Sequence, residues 1–314
     1  MTHINSRYIF IFNPAADKGR AARKAKWLQG LVSERADSAM FTTTCAEDAG
    51  EIACSEISEG TRLIACGGDG TLHDVVNAVV GSDVTIGILP IGSANDFNKT
   101  LNPQNRQYPD ISHFFNAETK KVDIGCVSFR GTEQLYFINS LGIGFTGRIA
   151  ERVKRTFWLK GELAYLYALL RVLVGYSPVK MHIKITHEES VQELHEPVFA
   201  FSVLNGKIEG GKFKIAPDAD LSDGLLDVCI LKAVPKHEFI RYALKYLNGT
   251  HINDQKVLYC KAQRVDVTIE GPDVMHIDGE VYDNICGKIV ILAVPEGVVM
   301  LCDHPVISSI REKS

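Results

Sequence analysis

Along residues 1 to 124, short apolar runs alternate with segments whose apolar residues recur at helical spacing. Arg7–Phe12 (RYIFIF), Ser38–Thr43, Arg62–Cys66 (RLIAC) and Val84–Leu89 are brief, apolar and end at turn residues, the pattern of buried strands. Between them, Ala21–Val32, Ala46–Ile57 and Leu72–Val80 carry one apolar face each; Leu72, Val75, Val76, Val79 and Val80 show the spacing most clearly. Strand and helix in alternation predict an α/β domain, a mostly parallel sheet with helices on both faces, which binds ligands at the carboxyl ends of its strands. From about Val122 the pattern changes. A single helical stretch, Gly147–Val174, sits among the β-type runs Tyr136–Asn139, Val179–Thr186, Val198–Leu204, Leu226–Leu231, Val265–Ile269 and Ile289–Val294. This predicts a β-rich, antiparallel second domain, with domains at 1–124 and 125–302 and a tail, 303–314, folding back on either one.

The chain's 314 residues match two domains at roughly 150 residues each. With 46% apolar and 23% charged residues it is neither disordered nor fibrous. Its formal charge of −4 argues against nucleic acid as a partner. The longest apolar run, Leu163–Val174, is broken by Arg171 and is too short to cross a bilayer. No secretory leader is visible in Met1–Arg7, and the eight cysteines form no CxxC pair. Reduced thiols in a cytoplasmic protein are expected.

Three loops carry chemistry. Gly67-Gly68-Asp69-Gly70-Thr71 lies between a buried strand and an amphipathic helix. Its glycines allow a tight turn with bare N–H groups against phosphate oxygens, Thr71 is placed to cap the helix, and Asp69 puts a carboxylate where Mg²⁺ could sit. Gly92-Ser93-Ala94-Asn95-Asp96-Phe97 follows the next strand and adds an amide and a carboxylate at the same edge; read alone, it is equally an N-cap loop. Asn13-Pro14-Ala15-Ala16-Asp17-Lys18-Gly19 follows the first strand, with Lys18 either a phosphate partner or a solvated turn residue.

NP-x4-G, GGDGT and GSANDF, in this order, resemble the catalytic domain of the diacylglycerol kinase family, in particular its bacterial soluble lipid kinases, which are related to sphingosine and ceramide kinases. VDIG (122–125), NSLGIGF (139–145), the stretch Asn205–Asp227 and IDGE (277–280) resemble that family's later blocks, so the likeness spans nearly the whole chain. It implies an NAD kinase/diacylglycerol kinase-like fold with ATP held by Asn13 and Pro14, by Thr43 (or Thr42 or Thr44), by the GGDGT loop and by Ser93. Glu280 would inherit the role of general base, with Asp278 beside it. A structural magnesium would map onto Asp223, with backbone oxygens near Asp220 and Leu225. Read alone, IDGE is also an ordinary β-turn between strands. Phosphoryl transfer asks mainly for positioning and charge neutralisation, which these parts would supply.

The sequence departs from that family at Ala16 and Asp17, where Ser-Gly is usual, at His73-Asp74, where Asn-Glu is usual, and at Ser93, where threonine is common. Other patterns fail on inspection. The GxGxxG at 142–147 lacks the strand and acid that a dinucleotide fold requires. Gly206–Lys212 is followed by Phe213 instead of a P-loop hydroxyl, and Asp218, Asp220 and Asp223 do not complete a calcium loop. No HxxxH or HExxH supports a zinc hydrolase. Arg148, Arg152, Lys154, Arg155 and Lys160 cluster around Phe157 and Trp158; they read either as a solvated face on a core helix or as a surface for anionic lipid headgroups. The expected activity is an ATP- and Mg²⁺-dependent lipid kinase that visits the membrane surface, with the acyl chains in an apolar pocket of the second domain. Alternatives are an NAD kinase-like enzyme and a non-catalytic nucleotide- or lipid-binding regulator. A homodimer is left open.

Overall fold

The computed structural model describes residues 6–104, 111–131, 133–156, 158–159 and 161–302. Phe157, Lys160 and the tail 303–314 lie outside the described residues. The strands are β1 (Arg7–Phe12), β2 (Ser38–Thr42), β3 (Thr61–Gly67), β4 (Thr85–Pro90), β5 (Glu118–Phe129), β6 (Glu133–Phe137), β7 (Ser140–Gly144), β8 (Val179–His187), β9 (Ser190–Leu204), β10 (Leu226–Lys232), β11 (Val257–Ala262), β12 (Arg264–Ile277) and β13 (Glu280–Cys302). The helices are α1 (Ala25–Ser33), α2 (Asp48–Ser55), α3 (Asp69–Val79), α4 (Asp96–Leu101), α5 (Ser112–Asn116), α6 (Phe145–Arg155), α7 (Gly161–Gly175) and α8 (Lys236–Asn248).

Period-2 alternation along β1 builds both sides of the first domain. Ile9 and Ile11 pack with Ala49, Ala53, Leu72 and Val76 from α2 and α3. Tyr8, Phe10 and Phe12 pack on the opposite face with Leu28 and Val32 of α1 and Phe114 of α5. Helices therefore cover both faces of the parallel set β2-β1-β3-β4, as expected. The second half is antiparallel: β12 pairs with β7, β8 and β13, and β9 with β7, β8 and β10. Helices α6, α7 and α8 pack on β9 and β10 through Phe145, Leu169, Phe199 and Phe239.

The two halves are not separate sheets. Strand β13 begins in the second half and ends beside β4, where Val299 and Met300 pair in parallel with Thr85 and Ile86. Strand β5 follows it antiparallel across the junction. Buried Asp123 ties this crossing by accepting the Gly224 N–H at 2.6 Å and the Glu296 N–H at 2.8 Å.

Two expectations change. The single helix over 147–174 is two helices, because α6 ends at Arg155 and the Thr156 hydroxyl donates back to the Arg152 carbonyl. Helix α8 had not been anticipated, although Pro235 before it, Gly249 after it and buried Phe239, Tyr242 and Tyr246 mark it out. The glycines of the rejected GxGxxG serve packing. A Cβ at Gly142 would lie 2.5 Å from His276 Nε2, and one at Gly147 would lie 2.2 Å from the Val274 carbonyl.

Candidate active site

The carboxyl ends of the parallel strands are joined by backbone hydrogen bonds. The N–H of Asn13 donates to Cys66 O at 3.0 Å, those of Ile91 and Gly92 to Gly67 O at 2.9 Å, and that of Thr43 to Phe12 O at 2.9 Å. The loops after β3 and β4 touch backbone to backbone. A Cβ at Gly92 would come within 2.3 Å of the Gly68 Cα, and one at Gly67 within 2.2 Å of the Thr71 hydroxyl. Only glycine fits at either position.

Helix α3 starts at Asp69, with Gly68 as its cap residue. Thr71 is thus inside the helix and does not cap it. Its hydroxyl accepts from Asn13 Nδ2 at 3.0 Å, which locks the first loop to the second. Asn95, at φ 53°, closes its own loop by accepting from the Gly92 N–H at 3.1 Å and donating to the Gly92 carbonyl at 3.0 Å. Asp17 and Lys18, at φ 50° and 53°, turn the first loop back over this edge. There Asp17 accepts from the Ser93 hydroxyl at 2.8 Å. The Lys18 ammonium donates to the carbonyls of Thr156 (2.8 Å) and Leu159. In this conformation both candidate phosphate partners, Lys18 and Ser93, bond to protein atoms.

The second half delivers its carboxylates through an Asp-Gly hairpin. Asp278 (φ 49°) and Gly279 (φ 90°) connect β12 to β13, so IDGE is both a β-turn and part of the site. Asp278 is buried and accepts the N–H groups of Ile138, Asn139 and Ser140 at 2.9–3.0 Å. It also accepts His73 Nδ1 at 3.1 Å. Burial would strip His73 of its proton, but the hydrogen bond to Asp278, with the charges of Asp278, Asp74 and Glu280, outweighs that and raises its pKa. With both carboxylate oxygens occupied by these donors, Asp278 anchors the turn that presents Glu280.

Glu280 is the open end of this arrangement. Its Oε1 would lie 3.3 Å from a Cβ at Gly70 of the phosphate loop, and its Oε2 meets Lys154 Nζ at 2.9 Å. Glu280, Asp69, Ser93, Asp96 and Asp278 share one cavity of about 420 Å³ between the two halves. Burial and the facing charge of Asp96 push Asp69 up to about 7, against a hydrogen bond from the Phe97 N–H. Asp96 is raised chiefly by burial, although Lys99 and the Gly211 N–H hold it down. Asp74 is likewise pushed up to about 6 by burial, against the neighbouring His73. Asp69 and Asp96 thus place two carboxylates in one cavity, hard oxygen donors of the kind a divalent cation takes.

The metal trio assigned from the resemblance lies on a different turn. There Asp223 is ion-paired with Lys261 and accepts the Leu225 N–H at 3.0 Å, while Asp220 accepts from the Ser222 N–H and hydroxyl. Lys261 balances that turn, and a cation would have to displace it. Among the described residues, one group of three or more His, Cys, Asp and Glu side chains is close enough to share a cation: exposed His182, Glu193 and His195. The cavity wall also holds Asn139, Tyr165, Glu209 and His276, none of them anticipated. His276 lies on β12, two residues before the turn residue Asp278. Glu209 belongs to a loop and left no periodic trace.

A glycine-built phosphate edge on a parallel sheet, closed by a carboxylate from an antiparallel half, defines a phosphotransferase of the two-domain kinase class. Residues 7–127 match the diacylglycerol kinase catalytic domain, and residues 139–301 match the YegS C-terminal NAD kinase beta sandwich-like domain. A diacylglycerol kinase of Bacillus subtilis (strain 168) is 33% identical over 291 residues, covering 89% of this chain and 91% of its own. One from Mycobacterium tuberculosis (strain CDC 1551 / Oshkosh) is 26% identical, covering 85% and 86%. The crystal structure of a diacylglycerol kinase from Bacillus anthracis str. Sterne superposes with a TM-score of 0.68 at 22% identity, over 95% of this chain and 97% of that one. The chain belongs to the diacylglycerol kinase family of lipid kinases.

Proposed function

We propose that this kinase transfers the γ-phosphate of ATP to the hydroxyl of a diacylglycerol-like lipid, with Glu280 as general base. The observation that carries the reading is the approach of Glu280 to Gly70: a carboxylate from the second half stands against the phosphate loop of the first. The N–H groups at the start of α3 and the glycine loops would receive the phosphates. Glu280 would accept the proton of the attacking lipid hydroxyl, and Lys154 beside it would release its ion pair to the incoming phosphoryl oxygens. Ser93 and Lys18 would take up nucleotide only after exchanging their bonds to Asp17 and to the Thr156 and Leu159 carbonyls. Mg²⁺, held by Asp69 with Asp96, would neutralise phosphate charge. The acyl chain would enter the apolar recess formed by Leu169, Phe213, Ile215 and Phe239, which shares Thr146 and Tyr165 with the main cavity.

The same half supplies a surface for the bilayer. Among the described residues, no helix is long and apolar enough to cross a membrane. Helix α7, however, exposes Leu163, Leu166, Leu170 and Val174 in one stripe, α8 exposes Ile240 and Leu244, and Trp158 precedes α7. Of the basic cluster, Arg148, Lys154 and Arg155 are matched by Asp273, Glu280 and Glu151. Docking therefore rests mainly on the apolar stripe, with the basic residues a smaller contribution.

The test is transfer from γ-labelled ATP to mixed lipid vesicles with Mg²⁺, products separated by thin-layer chromatography. Labelled lipid that falls about a thousandfold in Glu280→Ala while ATP binding persists supports the assignment. A Glu280→Ala variant with near-normal turnover removes it.

A further inference from the structure

The wall of the cavity opposite the phosphate loops holds buried polar atoms that no protein group satisfies. His276 and Glu209 side chains are 3% and 10% exposed and stand 3.4 Å apart, Nε2 to Oε1, without hydrogen-bond geometry. Both ring nitrogens of His276, Oε2 of Glu209 and Oδ1 of Asn139 are buried and unpartnered. All three residues line the cavity that holds Glu280.

Their placement is built in. Glu209 is clamped in a small bridge, its N–H donating to Phe213 O at 2.9 Å and its carbonyl accepting the Phe213 N–H at 3.1 Å. Gly210, at φ +63°, follows it because a Cβ there would fall 2.3 Å from the Tyr165 ring. His276 lies opposite Gly142 on β7, whose missing side chain makes room for the imidazole. A buried carboxylate, an amide oxygen and an imidazole left unpaired cost stability, and such atoms collect where a ligand completes them. The set is rich in acceptors: Glu209 Oε2 and Asn139 Oδ1 both need donors.

A plain diacylglycerol cannot meet this need. Its one O–H goes to Glu280, and its ester oxygens are acceptors facing acceptors. The adjoining apolar recess holds about 30 Å³ of free space and would have to widen for an acyl chain of any lipid. Building on the kinase reading above, we propose that Glu209, His276 and Asn139 form a headgroup subsite that selects an acceptor carrying a second hydrogen-bond donor next to the reacting hydroxyl. That donor is the second hydroxyl of a monoacylglycerol or the ammonium of a sphingoid base.

The experiment compares kcat/KM for 1-oleoylglycerol, sphingosine and 1,2-dioleoylglycerol in the same mixed micelles, for the full chain and for Glu209→Ala, Glu209→Gln and His276→Gln. The expected result is at least about a tenfold preference for a donor-bearing lipid over dioleoylglycerol, shrinking to within about threefold in Glu209→Ala. Glu209→Gln keeps most of a preference for oleoylglycerol, because its carbonyl still accepts, but loses most of one for sphingosine. The isosteric variants keep the test available if Glu209→Ala fails to fold. Equal use of all lipids, a preference for dioleoylglycerol, or a preference unmoved by these substitutions overturns the subsite and leaves the kinase standing. No labelled lipid of any kind overturns the kinase reading and this inference with it.

Discussion

The two walls of the cavity are made differently. The phosphate wall is backbone: glycines 67, 68 and 92 pack against one another, and Asn13, Thr71 and Asn95 spend their side chains on bracing the loops. The acceptor wall is side chain: Asn139, Glu209 and His276 come from three separate segments and leave polar atoms unpaired. Phosphate is the same in every nucleotide, and helix N-termini and glycine loops answer it in a fixed geometry. On the proposed reading, recognition of the acceptor lipid would fall to these side chains.

Four variants would break or sharpen this contrast. Asp278→Ala has the largest expected effect, because it strands three buried N–H groups and His73 at the joint between the walls. A loss of about 3–5 kcal/mol in urea unfolding is expected. A loss below about 1 kcal/mol would mean the joint is not held there. Gly92→Ala comes next: its Cβ would collide with the Gly68 backbone, so about 2–3 kcal/mol and at least a tenfold rise in KM for ATP are expected, with the KM for lipid nearly unchanged. If both KM values rise together, the two walls are not separable.

Asp69→Asn bears on charge. Asp69 has its pKa raised in the folded state, so its protonated form stabilises the nucleotide-free protein below the ordinary carboxylate value near pH 4. That contribution is lost as pH rises through about 7. The asparagine should therefore stabilise the nucleotide-free protein relative to wild type by about 1–2 kcal/mol at pH 8, less at pH 5, while transfer is lost. Asp69 is only half-buried toward the cavity, and water there softens the penalty, hence the modest figure. Equal thermal shifts at both pH values would show that Asp69 carries no such charge cost. The smallest effect on the fold is expected for Leu166→Glu with Leu170→Glu, both about half exposed on α7. Stability should move by less than about 0.5 kcal/mol per site. Binding to anionic vesicles should fall about tenfold, and wild-type binding should weaken less than about threefold between 50 and 200 mM salt. A steep salt dependence would hand the role to the basic residues instead.

Much of the phosphate wall was legible in the chain, because glycines and strand-ending turns are local signals. Asp69, Gly70, Ser93, Asp96 and Asp278 were all picked out, and all five line the cavity with Glu280. Thr71 does not cap the helix, because the helix begins three residues before Leu72, where its apolar pattern starts. Lys18 was read as a phosphate ligand or a solvated turn residue, but its backbone turns it toward the end of α6 instead. The break at Thr156 was hidden by apolar spacing that continues on both sides of it.

What the order of residues determined alone was the alternation of strand and helix, the glycine loops at strand ends and the family those motifs announce. These depend on conformational preferences and spacing within a few residues of each position. Only the tertiary structure decided that Glu280 meets Gly70, that Asp278 is consumed as an anchor, and that Glu209 and His276 are left unpaired beside them. Glu209 is 67 residues from His276 in the chain, and no local preference can register a proximity that arises only when β7, β12 and a distant loop close on one cavity.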